Sequence, residues 1–446
     1  SRMPDDGFVQ FNKHIIEYMR GVYVLLLISL LGYTGRVSGQ ESVTITQCYE
    51  WARANYPQIH QMGLIDQTER YSLSNVGKAW LPQLSVSGKA SYQSDVTKLP
   101  LDGDKISSLL PGFEIPSLSK DQYQVVAQVD QTIWDGGSTR SARALTRAEA
   151  IANREQLESE LYALNDRVNQ IYFGCLLQDE LIRQNALLQK ELQVNIERIE
   201  AMMENGVANQ SDLESMEVEL LNARQNEIEL KASRTVYRQM LATFINKPLT
   251  DQVVLKTPES PERSLSTQIN RPELRALDAK SEWIETQNKQ VTAGLMPRIG
   301  AFVQGGYGRP GLNMLEDSFE PYYVAGVRLS WNLGKLYTLK NDRRKIEVSR
   351  RQIDVQRETF LFNTRLQLLQ QNTEIKKMTD LMRADDDIIR LRTSIKQAAE
   401  VKLENGVISV TDLIREINAE DMARQTAAAH RVQRLMTIYN YMYTTN

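Results

Sequence analysis

Along residues 83–92 the chain alternates with a period of two. Leu84, Val86, Gly88, Ala90 and Tyr92 fall on one side, and Ser85, Ser87, Lys89 and Ser91 on the other. That is the pattern of a strand with one apolar and one wet face. A partner follows at 122–134, where Tyr123, Val125, Ala127, Val129 and Ile133 oppose Gln122, Gln124, Gln128, Asp130 and Thr132. The grammar returns at 298–333. There Ile299, Ala301, Val303, Gly305 and Tyr307, then Tyr323, Ala325, Val327, Leu329, Trp331 and Leu333, alternate with polar or small residues. Pro82 and Pro297 precede the first strand of each pair. The stretches 96–121, with Gly103, Pro111, Gly112 and Pro116, and 309–320 read as loops.

After each hairpin the period changes to that of a helix. Residues 138–203 hold no proline and only Gly174, and residues 338–403 hold neither proline nor glycine. At ~1.5 Å per residue each would reach roughly 100 Å. Leu157, Leu161, Leu164, Val168, Ile171 and Cys175, then Leu188, Leu192, Ile199 and Met202, follow the three-and-four spacing of knobs-into-holes packing. A returning helix over 208–245 shows Leu213, Met216, Leu220, Ala223 and Leu241, and its counterpart spans 408–444. Residues 43–79 are also helical in spacing, with breaks at Pro57 and Gly63. Between the halves, 246–271 carries Pro248, Pro258 and Pro261 and reads as a non-helical connector lying outside the helical body.

The halves repeat one another. Glu204-Asn205-Gly206-Val207 returns as Glu404-Asn405-Gly406-Val407, Asp212-Leu213 as Asp412-Leu413, and Ala223-Arg224-Gln225 as Ala423-Arg424-Gln425. An internal duplication implies two copies of one unit in each protomer. The chain divides into a first repeat at 40–245, the connector at 246–271, and a second repeat at 272–446.

Composition adds a cellular address. The apolar run Val22–Leu31 is too short to cross a bilayer as a helix, which takes about twenty residues. With Arg20 before it and Gly35-Arg36-Val37-Ser38-Gly39 after it, residues 1–39 read as an upstream extension plus an export signal. Cys48 and Cys175 both sit in helical patterns, which favours two free buried thiols over a bridge. A net charge of -3 with dispersed Lys and Arg argues against nucleic acid as partner. No Cys/His cluster has metal-ligand spacing, no glycine-rich phosphate loop occurs, and His60 and His430 stand alone, so neither a metal, a cofactor nor an enzyme reading has residues to rest on. Asp385-Asp386-Asp387 reads as a solvated helical patch.

Strands of about ten residues, tilted, span a hydrocarbon core. A sheet in lipid must close on itself, and membrane barrels begin at about eight strands, so four strands need further copies of the chain. Tyr92, Tyr123, Tyr307 and Tyr322 at the loop ends, with Trp80, Trp134 and Trp331 at the helix ends, are placed as two aromatic girdles. Gln128, Asp130, Gln304 and Arg328 would then face a lumen.

The export signal, the duplicated helix–hairpin–helix unit, the proline before each first strand, the turns Gly206–Leu213 and Gly406–Leu413 and the strand exit Gln131-Thr132-Ile133-Trp134-Asp135-Gly136-Gly137 together resemble the TolC family of outer-membrane efflux and secretion channels. The resemblance implies a mainly α fold with a transmembrane β-barrel portion. In such a homotrimer each protomer gives four strands to a twelve-stranded barrel, which a long periplasmic α-helical barrel continues. It implies outer-membrane lipid around the barrel, a periplasmic adaptor at the helical tips, and an inner-membrane pump of the RND, ABC or MFS type. Carried onto this chain, the turn residues Glu204, Asn205, Gly206, Val207 and Asp212, with Glu404, Asn405, Gly406 and Val407, become the docking tips. Asp412 falls where the family places an aspartate around the periplasmic entrance. Arg415 stands where some members have a second aspartate, which puts cation selectivity of that ring in question. Read without the resemblance, the same residues also fit a periplasmic coiled-coil adaptor or structural protein carrying a soluble β domain.

Overall fold

A computed structural model describes residues 42–97, 118–260, 266–314 and 316–446; the export signal and most of the first hairpin loop lie outside them. The chain begins with β1 (Ser42–Val43), α1 (Ile45–Asn55) and α2 (Gln61–Gly77), followed by the strands β2 (Gln83–Tyr92) and β3 (Asp121–Trp134). Then come α3 (Ser138–Tyr162), α4 (Leu164–Glu204) and the returning α5 (Gln210–Ile245). After β4 (Val254–Leu255), the second repeat runs α6 (Pro272–Ala293), β5 (Arg298–Arg309), β6 (Glu320–Ser330), α7 (Lys335–Glu404) and α8 (Val410–Thr445). No described helix is long and apolar enough to cross a membrane.

The two hairpins join into one antiparallel sheet ordered β2-β3-β5-β6. Its register pairs Val86 with Ala127, Ala127 with Gly305, and Val303 with Ala325, so the apolar positions of all four strands share one face. Gln128, Gln304 and Arg328 share the other. Strand β6 stops at Ser330 rather than running to Leu333, because Gly334 with the Asn332 side chain begins α7: the Gly334 N–H donates to Asn332 Oδ1 at 3.1 Å.

The helices pack as hairpins, α4 with α5 and α7 with α8, while α3 lies along α6. The heptad-like positions Leu157, Leu161, Leu164, Val168, Ile171 and Cys175 are all buried. Residues 138–203 stay helical from α3 into α4: Ala163 between them keeps a right-handed helical backbone (φ −61°, ψ −17°) and its N–H donates to Ser159 O at 3.3 Å. Helix α7 is unbroken for 70 residues.

The connector does not lie outside the helical body. Val253 and Leu255 are buried in the main core with Cys48, Phe173, Cys175 and Leu241, and β4 pairs in parallel with β1. The Tyr172 hydroxyl stitches this pair by donating to the carbonyls of Val43 (2.9 Å) and Lys256 (2.6 Å). Cys48 and Cys175 are free and buried, and burial pushes both thiols up to about 12.

Candidate functional site: the sheet wall and the helical tip

The apolar face of the sheet is uncovered. Leu84, Val86, Val327 and Leu329 are between 66% and 72% exposed, and among the described residues no helix packs on them. Among the described residues, both edge strands, β2 and β6, have one side without a strand neighbour. Strand lengths of 10, 14, 12 and 11 residues match or exceed what a tilted membrane strand needs, about nine to eleven.

The aromatic residues divide between the two ends of the sheet. Tyr92, Tyr123 and Tyr307 are at the loop end on the apolar face, and Trp80, Trp134 and Trp331 are at the helix end. Trp134 reaches that face through a register shift: Thr132 pairs with Gly300 but Trp134 with Ile299, so one extra residue turns an even position outward. Tyr322 is a correction. It pairs with Gly306 on the wet face, lies over that glycine, and meets the side-chain amide of Gln124. Its neighbour Tyr323, 79% exposed, occupies the outward position instead. Phe302 is a second aromatic on the wet face, with the Arg328 guanidinium 4.8 Å over its ring and Asp130 3.7 Å from that arginine.

At the far end the two turns are built alike. Gly206 (φ +73°) and Gly406 (φ +67°) adopt the left-handed conformation that ends a helix at low steric cost. The following N–H groups close back, Val207 to Met202 O (2.9 Å) and Val407 to Lys402 O (2.8 Å). The returning helices open on reciprocal caps. The Asp212 N–H donates to Asn209 Oδ1 while the Asn209 N–H donates to Asp212 Oδ2, both at 3.1 Å. The Asp412 N–H donates to Ser409 Oγ, and Ser409 returns its N–H (3.2 Å) and its hydroxyl (2.8 Å) to the Asp412 carboxylate. Those bonds from Ser409, followed by Arg415 at 3.6 Å, hold the Asp412 carboxyl below its ordinary range. Asp412 and Arg415 are thus neighbours on one helix turn, and Asp412 has a capping role.

The hairpin tips are fused by one apolar cluster. Leu192, Ile196, Ile199, Met216 and Leu220 of the first hairpin meet Leu403, Val410, Leu413 and Ile417 of the second. Above it lies a polar junction that sequence reasoning missed. Glu420, 1% exposed, is held by Lys396 (2.6 Å), Thr393 and Arg424, and Lys396 also reaches Glu191 of α4. Burial alone would push the Glu420 carboxyl up, but the bonds from Lys396, Thr393 and Arg424 overcome it and set it at about 2. Next to it, burial pushes Asp421 up to about 6, and the charges of Glu191 and Glu420 add to that against a bond from Gln425. Asp385 is not part of a solvated patch either: it is buried and its carboxylate lies 2.7 Å from His430 Nδ1. Asp386 and Asp387 remain exposed. No group of His, Cys, Asp and Glu among the described residues could hold a metal ion.

Comparison with known proteins agrees with this arrangement. Residues 48–247 match the family model described as outer membrane efflux protein. No curated protein is matched by sequence. Among solved structures, the outer-membrane channel OprN is 14% identical, with 90% of this chain and 89% of that chain covered and a TM-score of 0.64. The outer-membrane protein VceC of Vibrio cholerae is 12% identical over 89% of this chain and 95% of its own, with a TM-score of 0.60. The open-state outer-membrane channel MtrE of Neisseria gonorrhoeae is 14% identical over 90% and 88%, with a TM-score of 0.59. At such identities the likeness is one of fold.

Proposed function

We infer that this chain belongs to the outer membrane efflux protein family, whose model matches residues 48–247, and that it works as an outer-membrane exit duct. The observation that carries the reading is a four-stranded sheet with an uncovered apolar face and two open edges, continued by helical hairpins. Open edges are not tolerated in hydrocarbon, so β6 of one copy must pair with β2 of the next. Two copies would give eight strands, an interior that side chains fill; three give twelve and leave room for a lumen. We therefore assign a homotrimer with the wet face inward, so that Gln128, Gln304, Phe302, Tyr322 and Arg328 line the passage and the aromatic girdles meet the two membrane interfaces.

The helices extend into the periplasm, where the turns at Gly206 and Gly406 are the docking tips for a periplasmic adaptor coupled to an inner-membrane pump. Asp412 borders the entrance. Because Arg415 neutralises it from one turn away, three copies form a ring of ion pairs rather than a bare carboxylate ring, and the entrance has little preference for cations. A soluble adaptor-like protein would cover the apolar sheet face with its own chain, which this fold does not do.

The test combines native mass spectrometry of the detergent-extracted protein with planar-bilayer recording. A trimer that conducts supports the duct. A soluble monomer that never fractionates with the outer membrane overturns it. Crosslinking at Gly206 and Gly406 that captures no adaptor removes the docking assignment alone, and Asp412→Ala with unchanged conductance and ion preference removes Asp412 from the entrance.

A further inference from the structure

Where the sheet meets the helices, an open cavity of about 840 Å³ lies between the start of α3 and the end of α6. Its walls include Trp134 and Met296, and its rim carries Arg140 and Lys289. Among the described residues neither cation has an ion-pair or hydrogen-bonding partner, and both are exposed. Asn288 also lines the cavity, and its buried side-chain oxygen has no hydrogen-bond partner although its amide nitrogen donates to Glu285 at 3.2 Å. The cavity is continuous with the apolar face of the sheet, because the register shift in β3 turns Trp134 to that side.

The charges around this level are one-sided. The first ten residues of α3, 138–147, carry Arg140, Arg143 and Arg147 and no acid. The first eleven of α7, 335–345, carry Lys335, Lys340 and the run Arg343-Arg344-Lys345 against Asp342 alone. Lys335 lies beside the last turn of α6, its ammonium approaching Gly294. At ~1.5 Å per residue Arg140, Arg143, Lys335 and Lys340 fall within roughly 8 Å of the helix starts, the depth of a headgroup layer, and Arg147 and the run at 343–345 lie just beyond it. The chain as a whole, this belt included, has a net charge of -3.

We propose that this cavity binds an anionic phospholipid of the periplasmic leaflet, its phosphate between Arg140 and Lys289 and its acyl chain along Trp134 and Met296. The proposal rests on the membrane reading above. Apolar walls open to lipid suit an acyl chain, paired cations suit a phosphate, and the unpartnered Asn288 oxygen suits a headgroup hydroxyl. The surrounding basic belt would enrich such lipids around the barrel and fix its depth in the membrane.

The experiment is native mass spectrometry of the full-length protein released from nanodiscs of phosphatidylcholine with added phosphatidylglycerol. The wild type is expected to retain phosphatidylglycerol in preference to phosphatidylcholine. Arg140→Gln/Lys289→Gln is expected to retain it roughly thirtyfold less, the loss of two cations facing an anionic surface. A second variant, Ala144→Phe, narrows the cavity without touching charge and should also lower retention. Equal retention of the two lipids by the wild type, or unchanged retention in both variants, overturns the site. Conductance is recorded in parallel: protein that conducts without lipid preference overturns the lipid site only, whereas protein that never conducts overturns the duct.

Discussion

Lys396 is the most informative single position to perturb, because its ammonium joins Glu420 of α8 to Glu191 of α4 and so ties one repeat to the other. Lys396→Met removes the charge while keeping a similar stem. Glu420, with its side chain only 2% exposed, would lose its bond from Lys396 and keep Thr393 and Arg424. Losing one charged hydrogen bond from a buried carboxylate that keeps a second cation costs about 1.5–3 kcal/mol. At 1.4 kcal/mol per decade, local opening of the two hairpins would rise roughly tenfold to a hundredfold. Hydrogen–deuterium exchange over residues 385–430 should therefore accelerate by about one to two decades, with residues in the main core around Phe173 unchanged. The sign with pH is fixed by Glu420. Its carboxyl is held at about 2, below the ordinary 4.5, so its contribution is present above 4.5 and is lost as pH falls through 2. In the variant the loss is already present at neutral pH. Lys396→Met/Glu420→Gln should recover part of the protection, since it removes the stranded charge. Equal exchange in wild type and Lys396→Met would refute the idea that this junction binds the hairpins together.

Four further outcomes are expected. Leu413→Ala empties a fully buried site in the tip cluster and should cost about 2–5 kcal/mol, read as a lower thermal midpoint of the protein. Gly136→Ala places a methyl 2.5 Å from Met296 Cβ at φ +66°, whereas Gly137→Ala meets open space at φ +84°. Both carry a left-handed penalty of ~1–2 kcal/mol, but only Gly136→Ala adds ~1–3 kcal/mol of overpacking, so outer-membrane yield should fall further for it. Asp421, pushed up to about 6 from 3.8, favours the folded state most below 3.8 and loses that contribution as pH rises through 6; Asp421→Asn should flatten the pH dependence of local exchange across that window. Cys48 and Cys175, with thiols pushed up to about 12, should resist maleimide at neutral pH until the protein is unfolded, and labelling of the folded protein would contradict their burial.

Much of the fold is legible in the sequence because its signals are periodic and doubled. Alternation over residues 83–92 and 298–307 reports the strand faces, and Gly206 and Gly406 mark the turns through a backbone conformation that glycine tolerates best. What escapes is set by single-residue geometry. An extra residue near Thr132 reverses the parity that places Trp134. Tyr322 is legible: the alternation that puts Tyr323 on the apolar face turns Tyr322 to the wet one, against its place in a girdle. Val253 and Leu255 look like connector because two residues are too few to show a period. Glu420 and Arg424, four apart on a helix, have the spacing of an ordinary solvated pair; only the approach of α4 and α7 buries Glu420.

Helix α7 runs without interruption for 70 residues from the strand end to the tip. A continuous rod conveys torque along its whole length. Twist applied at the turn around Gly406 would therefore reach the strand end of α7 undiminished.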